Sequence, residues 1–134
     1  MSNIKEESAC PCQSGLLFKH CCQRFIEKPA EYIPETAEQL MRSRYCAYVV
    51  HNTDYLLYSW HPDYRPAQLD LDYPDNYWSG LKIKATMQGQ KNDNNGIVHF
   101  IARYKVNGKA FKLEENSLFK KINLRWFYTE GSKN

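Results

Sequence analysis

Four of the five cysteines in this 134-residue chain fall within thirteen positions, in Cys10-Pro11-Cys12 and Cys21-Cys22, with eight residues between Cys12 and Cys21. Four thiolates this close can close a tetrahedral zinc site and leave no open coordination position, which makes such an ion structural rather than catalytic. Ser14-Gly15 between the two pairs supplies the turn that brings them together. A disulfide pair, or four unrelated thiols in a mobile tail, is the competing reading. Nothing at the start of the chain resembles a secretory signal and no run of about 18 apolar residues occurs, so a cytoplasmic protein is expected. In that reducing compartment clustered cysteines read as metal ligands. His20, beside Cys21, reads as an exposed histidine, and Cys46 as a small buried hydrophobe.

Acid–base chemistry has fewer candidates. No Ser-His-Asp or Cys-His set is recognisable by spacing, and no glycine-rich phosphate loop is present. His61, between Trp60 and Pro62, is one candidate acid or base, and Glu115 and Tyr45 are the others. Glu115 draws attention through a hairpin. Asn107-Gly108 is a strong two-residue turn signal, and it pairs Val106 with Lys109, Tyr104 with Phe111, Ala102 with Leu113, Phe100 with Glu115 and Val98 with Ser117. One face of that hairpin is apolar until it reaches Glu115 and Ser117, which therefore point inward. An inward carboxylate needs a partner, and Arg42 and Arg44 are the natural ones. Two readings follow. Glu115 forms an ion pair that fixes a helix to the sheet, or it is the polar floor of a ligand pocket lined by Arg42, Arg44, Tyr45, Tyr48, Trp60, Trp78, Phe100, Tyr104, Ser117, Trp126 and Tyr128.

The elements that must position these residues follow from periodicity. Residues 1–9 read as a frayed terminus. Thr36 and Gln39 form a capping box, and Met41, Tyr45, Tyr48 and Val49 share one face of the helix it opens. A shorter helix runs from Asp54 to Trp60 with Thr53 as its N-cap, stopped by His61-Pro62. Residues 62–79, holding Pro62, Pro66, Pro74, Asp63, Asp70, Asp72 and Asp75, read as a loop on a pocket rim. Strict alternation over 81–87 predicts a strand, followed by strands over 97–106, 109–119 and 124–129, with a turn at Asn123. Two helices then four antiparallel strands give an α+β domain with its helices on one face of a curved sheet. With 43% hydrophobic and 14% aromatic residues a packed core is expected, and a net charge of +3 neither demands nor excludes nucleic acid. Lys19, His20, Arg24 and Lys28 are the small basic patch through which RNA or ribosome contact would run.

The segment from Cys10-Pro11-Cys12-Gln13-Ser14-Gly15 to Cys21-Cys22 resembles the SEC-C motif, a small zinc-binding module of bacterial proteins. The resemblance implies zinc on Cys10, Cys12, Cys21 and Cys22, with glycine common in the motif where this chain has Gln13. Leu40-Met41-Arg42-Ser43-Arg44-Tyr45-Cys46-Ala47-Tyr48, Trp60-His61-Pro62, Phe100-Ile101-Ala102-Arg103-Tyr104, Glu115-Asn116-Ser117-Leu118-Phe119 and Arg125-Trp126-Phe127-Tyr128 resemble the YchJ-like family of uncharacterised bacterial proteins. Members often have histidine where this chain has Glu114, and some carry a second cysteine module that has no counterpart here. The resemblance implies a cone-like fold similar to nuclear transport factor 2 and cystatin. The expectation is thus two units, a zinc knuckle with tail and connector over 1–28 and the cone domain over 29–134, the knuckle a separate knob whose metal could be stripped without loosening the sheet. The expected function is non-catalytic, with a small ligand or peptide in the cone and a protein partner on the knuckle. The alternative is an enzyme centred on Glu115 with Arg42 or Arg44 and Tyr45.

Overall fold

The computed structural model describes residues 5–69, 71 and 76–133. A single 3-10 turn at Phe18–His20 leads into α1 (Cys22–Glu27), then α2 (Ala37–Val49) and α3 (Thr53–Tyr58). The strands β1 (Asn76–Gln88), β2 (Asn95–Val106), β3 (Lys109–Ile122) and β4 (Arg125–Lys133) pair antiparallel in the order β1-β2-β3-β4. This is the α+β arrangement of helices on an antiparallel sheet expected from the sequence.

Thr36 caps α2, its Oγ1 accepting from the Gln39 amide at 3.1 Å, but Gln39 reaches back to the Glu35 amide rather than to Thr36. The N-cap of α3 is Asn52, not Thr53: its Oδ1 accepts from the Tyr55 amide at 2.9 Å, satisfying a donor the helix itself leaves open. The β2–β3 register is the one the Asn107-Gly108 turn dictates, without interruption from Val106↔Lys109 to Val98↔Ser117. Asn123 and Leu124 form the next turn, both with positive φ.

Two expectations fail for one reason. The alternation over 81–87 breaks at a register shift between Ile83 and Ala85, which turns Met87 out to 62% exposure. A further shift lies between Trp78 and Gly80, inside the segment read as loop, since β1 already begins at Asn76. Bulges insert a residue and bend the strand, and with the shift between Ser117 and Phe119 they fold the sheet around α2. Asp70, Asp72, Pro74 and Asp75 lie outside the described residues. So do Met1–Ile4 of the expected frayed terminus, whereas Ala9 bridges Leu17 and the Phe18 and Lys19 amides donate to the Ser8 and Glu6 carbonyls.

The core is continuous. Cys10, Cys12, Phe18, Cys21, Cys22, Phe25 and Ile26 belong to the same buried cluster as Leu40, Tyr45, Leu56, Leu81, Val98, Phe100, Phe119 and Trp126. The cysteine knuckle is therefore packed into the same core as the sheet domain.

Candidate metal centre and cavity

The knuckle is built by backbone bonds before any metal is considered. The Cys10 amide donates to the Leu16 carbonyl at 2.8 Å, the Gln13 amide to the Cys10 carbonyl at 3.0 Å, and the Cys21 amide to the Phe18 carbonyl at 3.0 Å. Gln13 and Gly15 take positive φ, 62° and 94°, which turns the chain between the two cysteine pairs. The four sulfurs converge to within 4.8 Å of one another, all buried and none in a disulfide. Cys12 and Cys21 sulfurs are 3.6 Å apart, and those of Cys21 and Cys22 3.8 Å. A tetrahedral ion with metal–sulfur bonds of about 2.3 Å needs sulfurs about 3.8 Å apart, so the set fits such an ion with little movement. The thiols also divide. Contact with Cys10, Cys21, Cys22 and Cys46 drives Cys12 far below the ordinary thiol range, whereas contacts with Cys10 and Cys12 drive Cys22 far above it. Four crowded sulfurs cannot all ionise without a cation among them, and a bound cation removes that conflict.

Three contacts join this centre to the rest. Arg42 extends back from α2, donating through Nη1 to the Cys12 carbonyl at 2.7 Å and through Nε to Glu38 at 3.0 Å. Gln13, where the motif favours glycine, uses its side chain: Oε1 accepts from the Leu81 amide at 2.7 Å, just past the bulge at Ser79. Cys46 of α2 places its sulfur 3.5 Å from that of Cys10, so the residue read as a small hydrophobe is a fifth sulfur at the centre.

A cavity of about 280 Å³ opens between α2 and the inner sheet face, lined by Met41, Arg44, Tyr45, Tyr48, Trp60, Trp78, Phe100, Ala102, Leu113, Glu115, Ser117 and Tyr128. Arg44, only 4% exposed, lies in its wall. Its guanidinium sits 4.9 Å from the ring centre of Trp60 and 4.5 Å from that of Tyr128, and Nη1 donates to the Leu56 carbonyl and Ser59 Oγ, both at 2.7 Å. Burial lowers its pKa, with Tyr48 opposing. The Glu115 carboxylate and the Tyr128 hydroxyl both lie over Gly131, where a side chain would strike the carboxylate and crowd the hydroxyl. Burial first, then the charge of Glu115, pushes the Tyr128 hydroxyl up to about 12. Burial also raises Tyr45, whose hydroxyl meets the Gly80 backbone.

Of the residues assigned to the pocket from sequence, Arg42, Tyr104 and Trp126 lie outside the lining. Arg42 serves the knuckle because it leaves α2 on the opposite side from Arg44. Tyr104 stands behind Trp78, ring centres 5.2 Å apart, and the indole N–H of Trp126 donates to the Glu35 carbonyl. His61 also lies outside the lining: its Nδ1 accepts from the Asp63 amide, its own amide donates to the Tyr128 carbonyl, and its ring packs edge-on against Tyr64 and Phe127. Met41, Ala102 and Leu113 were missed as lining residues. The signal was available, since Met41 precedes Tyr45 by one turn and Ala102 and Leu113 are register partners on the inner face. Of the basic patch, Lys19 pairs with Glu7 at 2.6 Å, and Arg24 lies over the Phe25 ring and donates to the Cys21 carbonyl.

Residues 36–131 match the family model described as YchJ, middle NTF2-like domain, and residues 8–24 match the SEC-C motif. The chain belongs to the YchJ-like family. A UPF0225 protein of Chromobacterium violaceum is 43% identical over 132 residues, covering 97% of this chain and 96% of its own length. One from Streptomyces coelicolor is 43% identical over 122 residues, covering 91% and 93%. The solution structure of a SEC-C motif containing protein from Rhodopseudomonas palustris superposes with a TM-score of 0.81 at 28% identity, over 93% of this chain and 98% of that one. The crystal structure of a SEC-C motif containing protein from Psychrobacter arcticus gives 0.77 at 25% identity, over 96% and 84%. Among the described residues no helix is long and apolar enough to cross a membrane.

Proposed function

We propose that this chain is a cytoplasmic, non-catalytic binding protein in which a structural zinc ion on Cys10, Cys12, Cys21 and Cys22 braces a ligand-holding cavity. Four thiolates in a closed set suit zinc in a structural role. The observation that carries the binding reading is the composition of the cavity wall. Tyr45, Tyr48, Trp60, Trp78, Phe100 and Tyr128 surround it, and among the described residues no buried side-chain nitrogen or oxygen lacks a hydrogen-bond partner. A wall whose polar groups are already satisfied selects a small, flat, mainly apolar molecule, oriented by one donor group that Glu115 or Ser117 accepts. The neutral aromatic amine N-phenyl-1-naphthylamine is a suitable probe. It is expected to bind with saturable fluorescence at one site, and Ala102→Phe, which fills the cavity, is expected to abolish the signal. No saturable signal from the wild type, or an equal signal from the variant, would remove the reading.

The knuckle's second role in this proposal is contact with a protein partner through Leu16 and Leu17, 53% and 37% exposed. Leu16→Glu/Leu17→Glu is the test in pull-down; retention of every captured protein would dispose of it. A second reading, acid–base catalysis in the same cavity, draws support from the carboxylate of Glu115 beside the Tyr128 hydroxyl. It has lost Arg42 to the knuckle and the Tyr45 hydroxyl to Gly80, so binding is the better-supported function.

A further inference from the structure

Five buried thiols crowd the junction between the knuckle and α2, and a tetrahedral ion takes four. The positions of the fifth sulfur and of Cys21 are not equivalent. Cys46 lies 3.5 Å from Cys10 and also interacts with the thiols of Cys12 and Cys22. Cys21 interacts with the same three, and with Ser14 Oγ at 3.2 Å. The 3.5 Å between the sulfurs of Cys46 and Cys10 is as short as the 3.6 and 3.8 Å between ligand sulfurs, so the fifth thiol already stands at the spacing of a ligand.

That disposition suits ligand exchange. A buried thiol already at ligand spacing from a bound cysteine can take the place of a ligand that leaves. Cys21 is also the most exposed of the five, at 7%, against 0% for Cys46. We propose that Cys46 is an alternate ligand of the metal centre, able to replace Cys21 while Cys10, Cys12 and Cys22 stay bound. The inference rests on the zinc reading above. One metal–sulfur bond breaks at Cys21 and one forms at Cys46, and the proton given up by Cys46 ends on Cys21. No oxidation occurs and the charge of the centre is unchanged. In the exchanged state the metal is bonded directly to α2, next to Tyr45 and two residues from Arg44, so the state of the knuckle is passed to the cavity wall.

Zinc content and zinc X-ray absorption of the full chain, purified under reductant, test this. Wild type, Cys46→Ala and Cys21→Ala are each expected to hold one zinc with four sulfurs. The Cys21→Ala/Cys46→Ala chain is expected to show three sulfurs and one lighter ligand at about 2.0–2.2 Å. Cys21→Ser keeps the side-chain volume and guards against loss of folding in the alanine variant; four sulfurs are expected there too. Three sulfurs, or less than one zinc, in both Cys21 variants while Cys46→Ala keeps four would overturn the proposal. Wild type without zinc would instead remove the zinc reading, and this inference with it.

Discussion

Stripping the metal should destabilise the whole chain, because the knuckle shares the core. Phe18, Phe25 and Ile26 are 3%, 5% and 5% exposed and lie in one cluster with Leu40, Tyr45 and Phe100. Fully burying each such side chain contributes about 1.5–3 kcal/mol, so the three give roughly 5–9 kcal/mol. Correction for residual burial in the unfolded chain leaves roughly 4–7 kcal/mol. When the four thiols lose their cation, the knuckle keeps backbone hydrogen bonds and the exposed Lys19–Glu7 pair, too little to hold that burial in place. A domain has only about 5–15 kcal/mol of stability in total. At about 3–5 °C per kcal/mol for a chain of this size, the midpoint should fall by roughly 12–35 °C. The assay is a circular-dichroism melt with and without a high-affinity chelator under reductant, followed by hydrogen exchange. Protection should fall in α2 and β1 as well as in the knuckle, since Arg42 and Gln13 tie both to it. A midpoint shift within about 3 °C, with faster exchange confined to residues 5–28, would refute the shared-core reasoning.

Arg44→Met should lose about 2–4 kcal/mol in urea unfolding, because Leu56 and Ser59 lose a charged donor in a buried site. Arg44→Lys should not rescue it, since an ammonium cannot both stack between Trp60 and Tyr128 and bridge two acceptors; full rescue would refute the stacking argument. Tyr128, held neutral by burial and by Glu115, has its folded pKa raised to about 12 from 10. Its contribution to stability is therefore complete below pH 10 and lost as pH rises toward 12. Glu115→Gln should move its ultraviolet titration downward, and an unmoved titration would show that the carboxylate does not face it. Gln13→Ala should cost about 1–2 kcal/mol through the orphaned Leu81 amide. Gln13→Gly, which also relieves the left-handed backbone, should be about 1 kcal/mol milder; equal losses in thermal melts would contradict that compensation.

The parts of the fold governed by local chemistry were legible from the sequence. Asn107-Gly108 admits one tight turn, so the β2–β3 register and the inward aim of Glu115 and Ser117 followed from a count of residues. Thr36 could be read as a cap because capping is a contact across three positions. The bulges at Ser79 and Lys84 were not legible, since nothing in an alternating pattern marks an extra residue that the partner strand must accommodate. The direction of Arg42 was also hidden. Arg42 and Arg44 are two residues apart, so a helix sends them to different sides, but which side meets the knuckle depends on how a 28-residue segment folds back. Cys46 looked apolar for the same reason: its neighbour Cys10 is 36 positions away.

The central claim is a metal-braced cavity that holds a small molecule, and native mass spectrometry of protein freshly purified under reductant tests it most directly. The expected spectrum is the chain mass plus one zinc, with a further small adduct that is absent from Ala102→Phe. A wild-type spectrum showing the chain without metal, or an adduct that persists unchanged when the cavity is filled, would contradict it.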